Sequence, residues 1–206
     1  MAAGRLEIFR LHPSLLGVAF YERRLPHWHP TGRDLFITWR LYGTLPPSRF
    51  VPPEGLTSGQ AFASIDRYLD SATYGPSWLR TPEIAQSVAA ALRHTQDELR
   101  RYVLHAYVVM PNHVHVLISP ARPVAAIMQS LKGYTAREAN RMLDRTGQRF
   151  WQRESYDHWV REGEFERIVR YIEWNPVVAG LAKEPHLYPW SSAARREAGL
   201  KPGSPP

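Results

Sequence analysis

Apolar and polar residues alternate along "RDLFITWRLYG", with Leu35, Ile37, Trp39 and Leu41 on one side, which predicts a half-buried strand over 33–43. The Pro- and Gly-rich run "TLPPSRFVPPEGLTSGQ" follows, and 44–60 reads as a long loop or insertion. A first helix is expected over about 58–72, stopped by "YGPSW". A second opens with Thr81 as N-cap and Pro82 at its first position, and Ile84, Val88 and Leu92 form its apolar stripe. "YVLHAYVVM" and "HVHVLIS" are strand-like and separated only by Pro111 and Asn112, which is hairpin spacing. From 123, "PVAAIMQSLKGYTAREANRMLDRTG" reads as a helix interrupted or bent near Gly133. "QRFWQRESYDHWVRE" reads as a connector with room for a short strand. A final helix, "EGEFERIVRYIEWN", is expected to end at Pro176, because a residue before proline resists the helical region. Strands and helices interleave without a repeat, which predicts an antiparallel sheet with helices.

Composition narrows the class. The chain has 206 residues, enough for one well-filled domain over 1–195, with 196–206 expected to be a disordered tail. It contains no cysteine, which excludes disulfides, thiolate metal sites and a cysteine nucleophile. The apolar run near the start is too short, and too broken by Arg10, His12 and Pro13, for a signal peptide or membrane span. The expectation is therefore a soluble, cytoplasmic protein. A formal charge of +7 suits a polyanionic partner, nucleic acid being the commonest, although a merely basic surface has the same balance.

The chemistry begins at "YVVMPNHVHVLIS". Residues two apart on a strand point the same way, so His113 and His115 stand together, opposite the face that Val114 and Val116 give to the core. Two imidazoles at that spacing can share one divalent cation, or can simply be a solvated pair. "PHWHP" repeats the spacing at His27 and His29, but in what reads as a Pro-flanked loop with no strand to align them.

On the last helix Phe165, Ile168, Val169 and Ile172 form the apolar stripe, and Tyr171 and Asn175 lie one turn apart beside it. Two imidazoles plus an amide oxygen make a neutral site suited to Mg²⁺ or Mn²⁺ as a Lewis acid, and a tyrosine beside it can attack phosphorus.

Four runs in order, "AYVVMPNHVHVLI", "LKGYTAREANR", "FWQRESYDHWVR" and "YIEWNPVVAGL", resemble the REP-associated tyrosine transposases of the single-tyrosine HUH superfamily (insertion-sequence-200-like). The resemblance runs from about 20 to 195. It implies an α+β class, with a ferredoxin-like antiparallel sheet and helices on one face. It also implies that His113, His115 and Asn175 are metal ligands and that Tyr171 is the nucleophile, acting within one chain or from a homodimer partner. The reaction implied is divalent-metal-dependent cleavage and rejoining of single-stranded DNA bearing palindromic hairpins, through a 5′-phosphotyrosine.

Residues expected at the DNA are Lys132, Tyr134, Arg137, Arg141, Arg149, Arg153, His158 and Arg167, with Arg145 among them; basic groups and interleaved aromatics suit phosphates and splayed bases. Arg137, Arg141 and Arg145 also fit a solvated helix face, and Phe150 and Trp151 fit the core better than a stacking platform. Tyr134 is the rival nucleophile. Two other readings stay open: a hairpin-binding module that does not cut, and an unrelated metal-dependent hydrolase built on H-x-H.

Overall fold

In a computed structural model of the chain, the described residues are 18–22, 26–30, 32–46 and 58–199. Two short strands, β1 (Val18–Glu22) and β2 (Pro26–Pro30), pair antiparallel. Next come β3 (Leu35–Leu41), α1 (Ser58–Asp70), α2 (Pro82–Asp97), β4 (Tyr102–Val109) and β5 (His113–Pro120). The chain then adds α3 (Val124–Met142), β6 (Trp151–Trp159), α4 (Phe165–Val178) and α5 (Ser192–Glu197). The main sheet has the order β4-β5-β3-β6, every pairing antiparallel. Followed through β3-α2-β4-β5-α3-β6, this is the βαββαβ connectivity of a ferredoxin-like α+β fold, as expected.

Both faces of the sheet are covered, because its strands carry two apolar sets. Leu35, Ile37, Trp39 and Leu41 of β3 and Val114, Val116 and Ile118 of β5 pack against Ile84, Val88 and Leu92 of α2 and Ile127 and Leu131 of α3. The opposite residues, Phe36 and Leu117 with Ala106, Val108 and Met110, pack against Ile168, Val169 and Ile172 of α4. A bulge between Leu104 and Ala106 swaps the parity of β4, so Leu104 and Ala106 fall on different faces. The α2 and α3 layer is the expected helical face; α1 and α4 close the other, over the histidines. That face is therefore a second core and not a solvated surface: both imidazoles are fully buried.

Other local expectations are corrected. "PHWHP" is a strand, β2, with His29 opposite Ala19 and His27 opposite Tyr21. α3 runs unbroken through Gly133, since buried Ile127, Leu131, Thr135 and Ala139 outweigh the ~1 kcal/mol a mid-helix glycine costs. α4 passes Pro176 and ends at Val178, with Asn175 and Pro176 both buried, so packing overrides the proline's local bias. The aromatic connector is a nine-residue strand, β6, in which Trp151 is buried, as is Phe150 just before it. α5 carries regular structure to Glu197, into the stretch expected to be a tail. Of the 44–60 run, residues 47–57 lie outside the described residues. No helix among the described residues is long and apolar enough to cross a membrane.

Candidate active site

β4 and β5 meet at a tight turn in which the Met110 N–H donates to the His113 carbonyl, 2.9 Å. The turn is itself held, by Leu41 N–H on the Asn112 carbonyl and Leu79 N–H on the Pro111 carbonyl. From it β5 aims His113 and His115 at one point, their Nε2 atoms 3.0 Å apart. Each ring is oriented from behind: His113 Nδ1 lies 2.6 Å from Asn112 Oδ1, and His115 Nδ1 lies 2.7 Å from Thr38 Oγ1. Register puts Thr38 opposite His115 and Arg40 opposite His113 on this face.

The third member comes from α1. Asp66 is buried, with Oδ1 3.4 Å from His115 Nε2 and 3.8 Å from His113 Nε2, and Oδ1 has no hydrogen-bond partner. Ligand atoms of Asp66, His113 and His115 all lie within 4.8 Å of one another. Asp70, one turn on, holds its Oδ1 3.6 Å from His113 Nε2, also without a hydrogen-bond partner. Two imidazole nitrogens cannot both present hydrogen at 3.0 Å, and a buried carboxylate oxygen without a donor is costly. A divalent cation would relieve both, so these side chains fit one. The donor set, two imidazole nitrogens and carboxylate oxygen, suits a divalent cation.

Tyr171 reaches the same point from α4. Its hydroxyl donates to Asp66 Oδ2, and its ring centroid lies 5.6 Å from that of His115. Phe36 stacks on His115 at 5.6 Å, and Phe62 of α1 stacks on Tyr156 of β6 at 4.2 Å, forming an apolar collar. Burial pushes both imidazoles down to about 3, His113 further disfavoured by His115, so both are neutral and able to ligate. Burial raises Asp66 above the usual carboxylate range, and burial with the nearby Asp66 charge raises Asp70 to about 7. Burial, then the Asp66 charge, lifts the Tyr171 phenol well above its ordinary value.

Of the residues expected here, the structure brings His113, His115 and Tyr171 together within one chain. Asn175 is buried one turn along α4 from Tyr171, its Oδ1 without a hydrogen-bond partner. The rival, Tyr134, is half-exposed on α3, on the other side of the sheet. With Arg137 and His94 it lines a cleft of about 540 Å³ between α2 and α3.

The expected DNA residues scatter. Lys132 is drawn in to bind the Gln152 and Arg153 carbonyls, tying α3 to β6. Arg141 pairs with Glu138 on the exposed face of α3. Arg145 stacks over Trp78 and Arg149 over Tyr42, near the end of β3, while the Arg153 side chain is exposed on β6. His158 is on the histidine face, opposite Phe36, and shares Glu164 with exposed Arg167.

Sequence reading missed Asp66, Asp70, Thr38 and Arg40. The available signal was Phe62, Asp66 and Asp70 at four-residue spacing, two carboxylates continuing a stripe begun by a large apolar residue.

Comparison with known proteins finds similarity to one family and to two solved structures, all described as transposases. The family described as "Transposase IS200 like" matches residues 74–175, and that stretch is similar to it; Asp66 and Asp70 lie just before the matched residues. The fold is similar to a solved structure of the REP-associated tyrosine transposase bound to a REP hairpin. Identity is 20%, with 90% of each chain covered and a TM-score of 0.53. A crystal structure of a candidate transposase from Deinococcus radiodurans R1 is 18% identical over 85% of this chain and 98% of that one, at a TM-score of 0.39. No curated protein is detectably similar in sequence.

Proposed function

We propose that this protein cuts and rejoins single-stranded DNA bearing palindromic hairpins, with Tyr171 as nucleophile. The observation that carries the reading is the Tyr171 hydroxyl bound to a carboxylate that also faces two converging imidazoles. The tyrosine oxygen forms one ester bond to phosphorus as the bond to the 3′ oxygen breaks, leaving a 5′-phosphotyrosine and a free 3′-hydroxyl. One ester replaces another, so rejoining needs no nucleotide cofactor.

His113, His115 and Asp66 would hold Mg²⁺ or Mn²⁺, with Asn175 a further candidate ligand. A cation there supplies Lewis-acid polarisation of the scissile phosphate. The chain's own groups do the rest. Asp66 accepts the hydrogen bond that fixes the Tyr171 oxygen, Phe36 and Phe62 limit water, and Asn112 and Thr38 hold the imidazoles. The tyrosine lies over the histidines of its own chain, which favours cleavage in cis and leaves a homodimer unnecessary for completing the site. For DNA, the solved relative's REP hairpin supports a palindromic hairpin as the substrate. Arg149 and Arg153 near the β3 end and Arg167 beside His158 suit its backbone. A cytoplasmic location follows if the substrate is the cell's own DNA.

The test uses hairpin-bearing single-stranded DNA labelled at its 3′ end, with and without Mn²⁺, resolved on denaturing gels. A metal-dependent labelled protein band is expected for the wild type and absent from Tyr171→Phe. Hairpin binding without any band would favour a binding module, and a band surviving in Tyr171→Phe would redirect attention to Tyr134.

A further inference from the structure

We infer that Asn112 is a positioning residue that sets the tautomer of His113 and anchors the carboxylate-bearing end of α1 over the histidines. The amide is buried in the β4–β5 turn, and its two ends have different neighbours. Its Nδ2 lies 3.0 Å from the Leu69 carbonyl oxygen, which can only accept. The amide therefore turns its nitrogen to Leu69 and its oxygen to His113 Nδ1, 2.6 Å away.

That oxygen can only accept in turn, so His113 carries its hydrogen on Nδ1. In a neutral ring the other nitrogen is then bare. Nε2, the atom facing His115 Nε2, Asp66 and Asp70, is left with its lone pair directed into the cluster. One backbone carbonyl thus decides, through one amide, which nitrogen of His113 is free to bind.

The same bond acts on α1. Leu69 lies between Asp66 and Asp70, so the amide holds the helix where its two carboxylates flank His113. Ala72 N–H shares the Leu69 carbonyl, closing the end of the helix. The turn carrying Asn112 is fixed by its backbone contacts to Leu41 and Leu79, so the side chain works from a rigid base. Nothing local predicts this arrangement: Asn112 and Leu69 are 43 residues apart, and α1 precedes the family-matched stretch.

The value of a bare His113 Nε2 rests on the metal reading above, but the tautomer does not, and the experiment separates them. Metal-free protein with ¹⁵N-labelled histidine is examined by two-bond ¹H–¹⁵N NMR as wild type, Asn112→Leu and Asn112→Asp. Hydrogen exchange of the α1 amides is followed in parallel. Wild type should show His113 as the Nδ1–H form. Asn112→Leu should lose that form, whereas Asn112→Asp, still an acceptor, should keep it. Asn112→Asp has no donor for Leu69, so α1 exchange should quicken about tenfold in both variants.

An Nε2–H wild type, an unchanged tautomer in Asn112→Leu, or unaltered α1 exchange in Asn112→Asp would overturn the inference. If Asn112→Leu does not fold, the wild-type tautomer and Asn112→Asp decide it. Mn²⁺ titration of the same samples should show about 10–100-fold weaker binding in Asn112→Leu. A wild type with the locked tautomer but no Mn²⁺ affinity would sink the metal reading and leave this one standing.

Discussion

Tyr171 donates its hydroxyl to Asp66, a residue 105 positions earlier, and the other oxygen of that carboxylate stands 3.4 Å from His115 Nε2. One side chain of α1 thus joins Tyr171 of α4, the proposed nucleophile, to the histidines of β5. The two groups that the proposed reaction needs side by side share no direct hydrogen bond; Asp66 is the link between them.

Replacing Asp66 by Asn keeps the shape and an acceptor for Tyr171 but removes the charge. Losing an outer ligand partner already costs about 10–100-fold in metal affinity, and Asp66→Asn is expected to weaken Mn²⁺ binding at least that much. Isothermal titration checks this. Unchanged affinity would remove Asp66 from the ligand set.

Acid stability should separate the carboxylates from the imidazoles in metal-free protein. Both imidazoles sit at about 3 when folded, below their ordinary 6.5, so their contribution is full above 6.5 and is lost as pH falls toward 3. Asp70 is raised to about 7, so its contribution is full below its ordinary 3.8 and is lost as pH rises through 7. Asp66, also raised, acts with Asp70. The two kinds of group oppose each other over the window between. Asp70→Asn removes part of that opposition and should lose stability on acidification below pH 6.5 faster than wild type, by up to about 1.4 kcal/mol per pH unit. Urea midpoints at pH 7, 6 and 5 measure it; parallel curves would contradict it.

Gly75 follows α1 in a left-handed conformation, φ 75°. A Cβ there would meet the Gly43 carbonyl oxygen and the Thr44 Cα, both backbone atoms just beyond β3. Neither can swing aside, so Gly75→Ala is expected to cost about 3 kcal/mol or more, through backbone strain and the clash together. The check is a thermal or urea melt; a loss under about 1 kcal/mol, the ordinary scale for a point change, would mean the two turns separate easily.

Lys132 and Arg149 were expected to share a role and should behave differently. Arg149 lies exposed over Tyr42, and Arg149→Ala should lower the salt slope of hairpin binding by about one. Lys132 is committed to the backbone of β6, so Lys132→Met should destabilise the fold and leave the slope alone. Fluorescence anisotropy from 50 to 200 mM salt distinguishes them, and equal slopes for both variants would refute the distinction.

Much of the fold was legible because its signals are local. The alternation over 33–43, the hairpin spacing at Pro111 and Asn112, and the stripe of Ile84, Val88 and Leu92 each report a period set by backbone geometry. The same holds for the shared face of His113 and His115 and for the one-turn spacing of Tyr171 and Asn175. Where local bias and packing disagreed, packing prevailed. Gly133 stays helical and α4 continues past Pro176, because each helix has a buried face worth more than one unfavourable residue.

The residue types of the site, its two-residue and four-residue spacings and the hairpin that carries the histidines were thus determined along the chain itself. Which carboxylate meets the histidines was not. Asp66 reaches them because β5 occupies the middle of the sheet and α1 and α4 close the same face of it. No periodicity encodes a contact across 105 residues. The burial that neutralises the imidazoles, the hydrogen bond on Tyr171 and the diversion of Lys132 all arise only when separated segments exclude water from one another, and that is decided by tertiary packing.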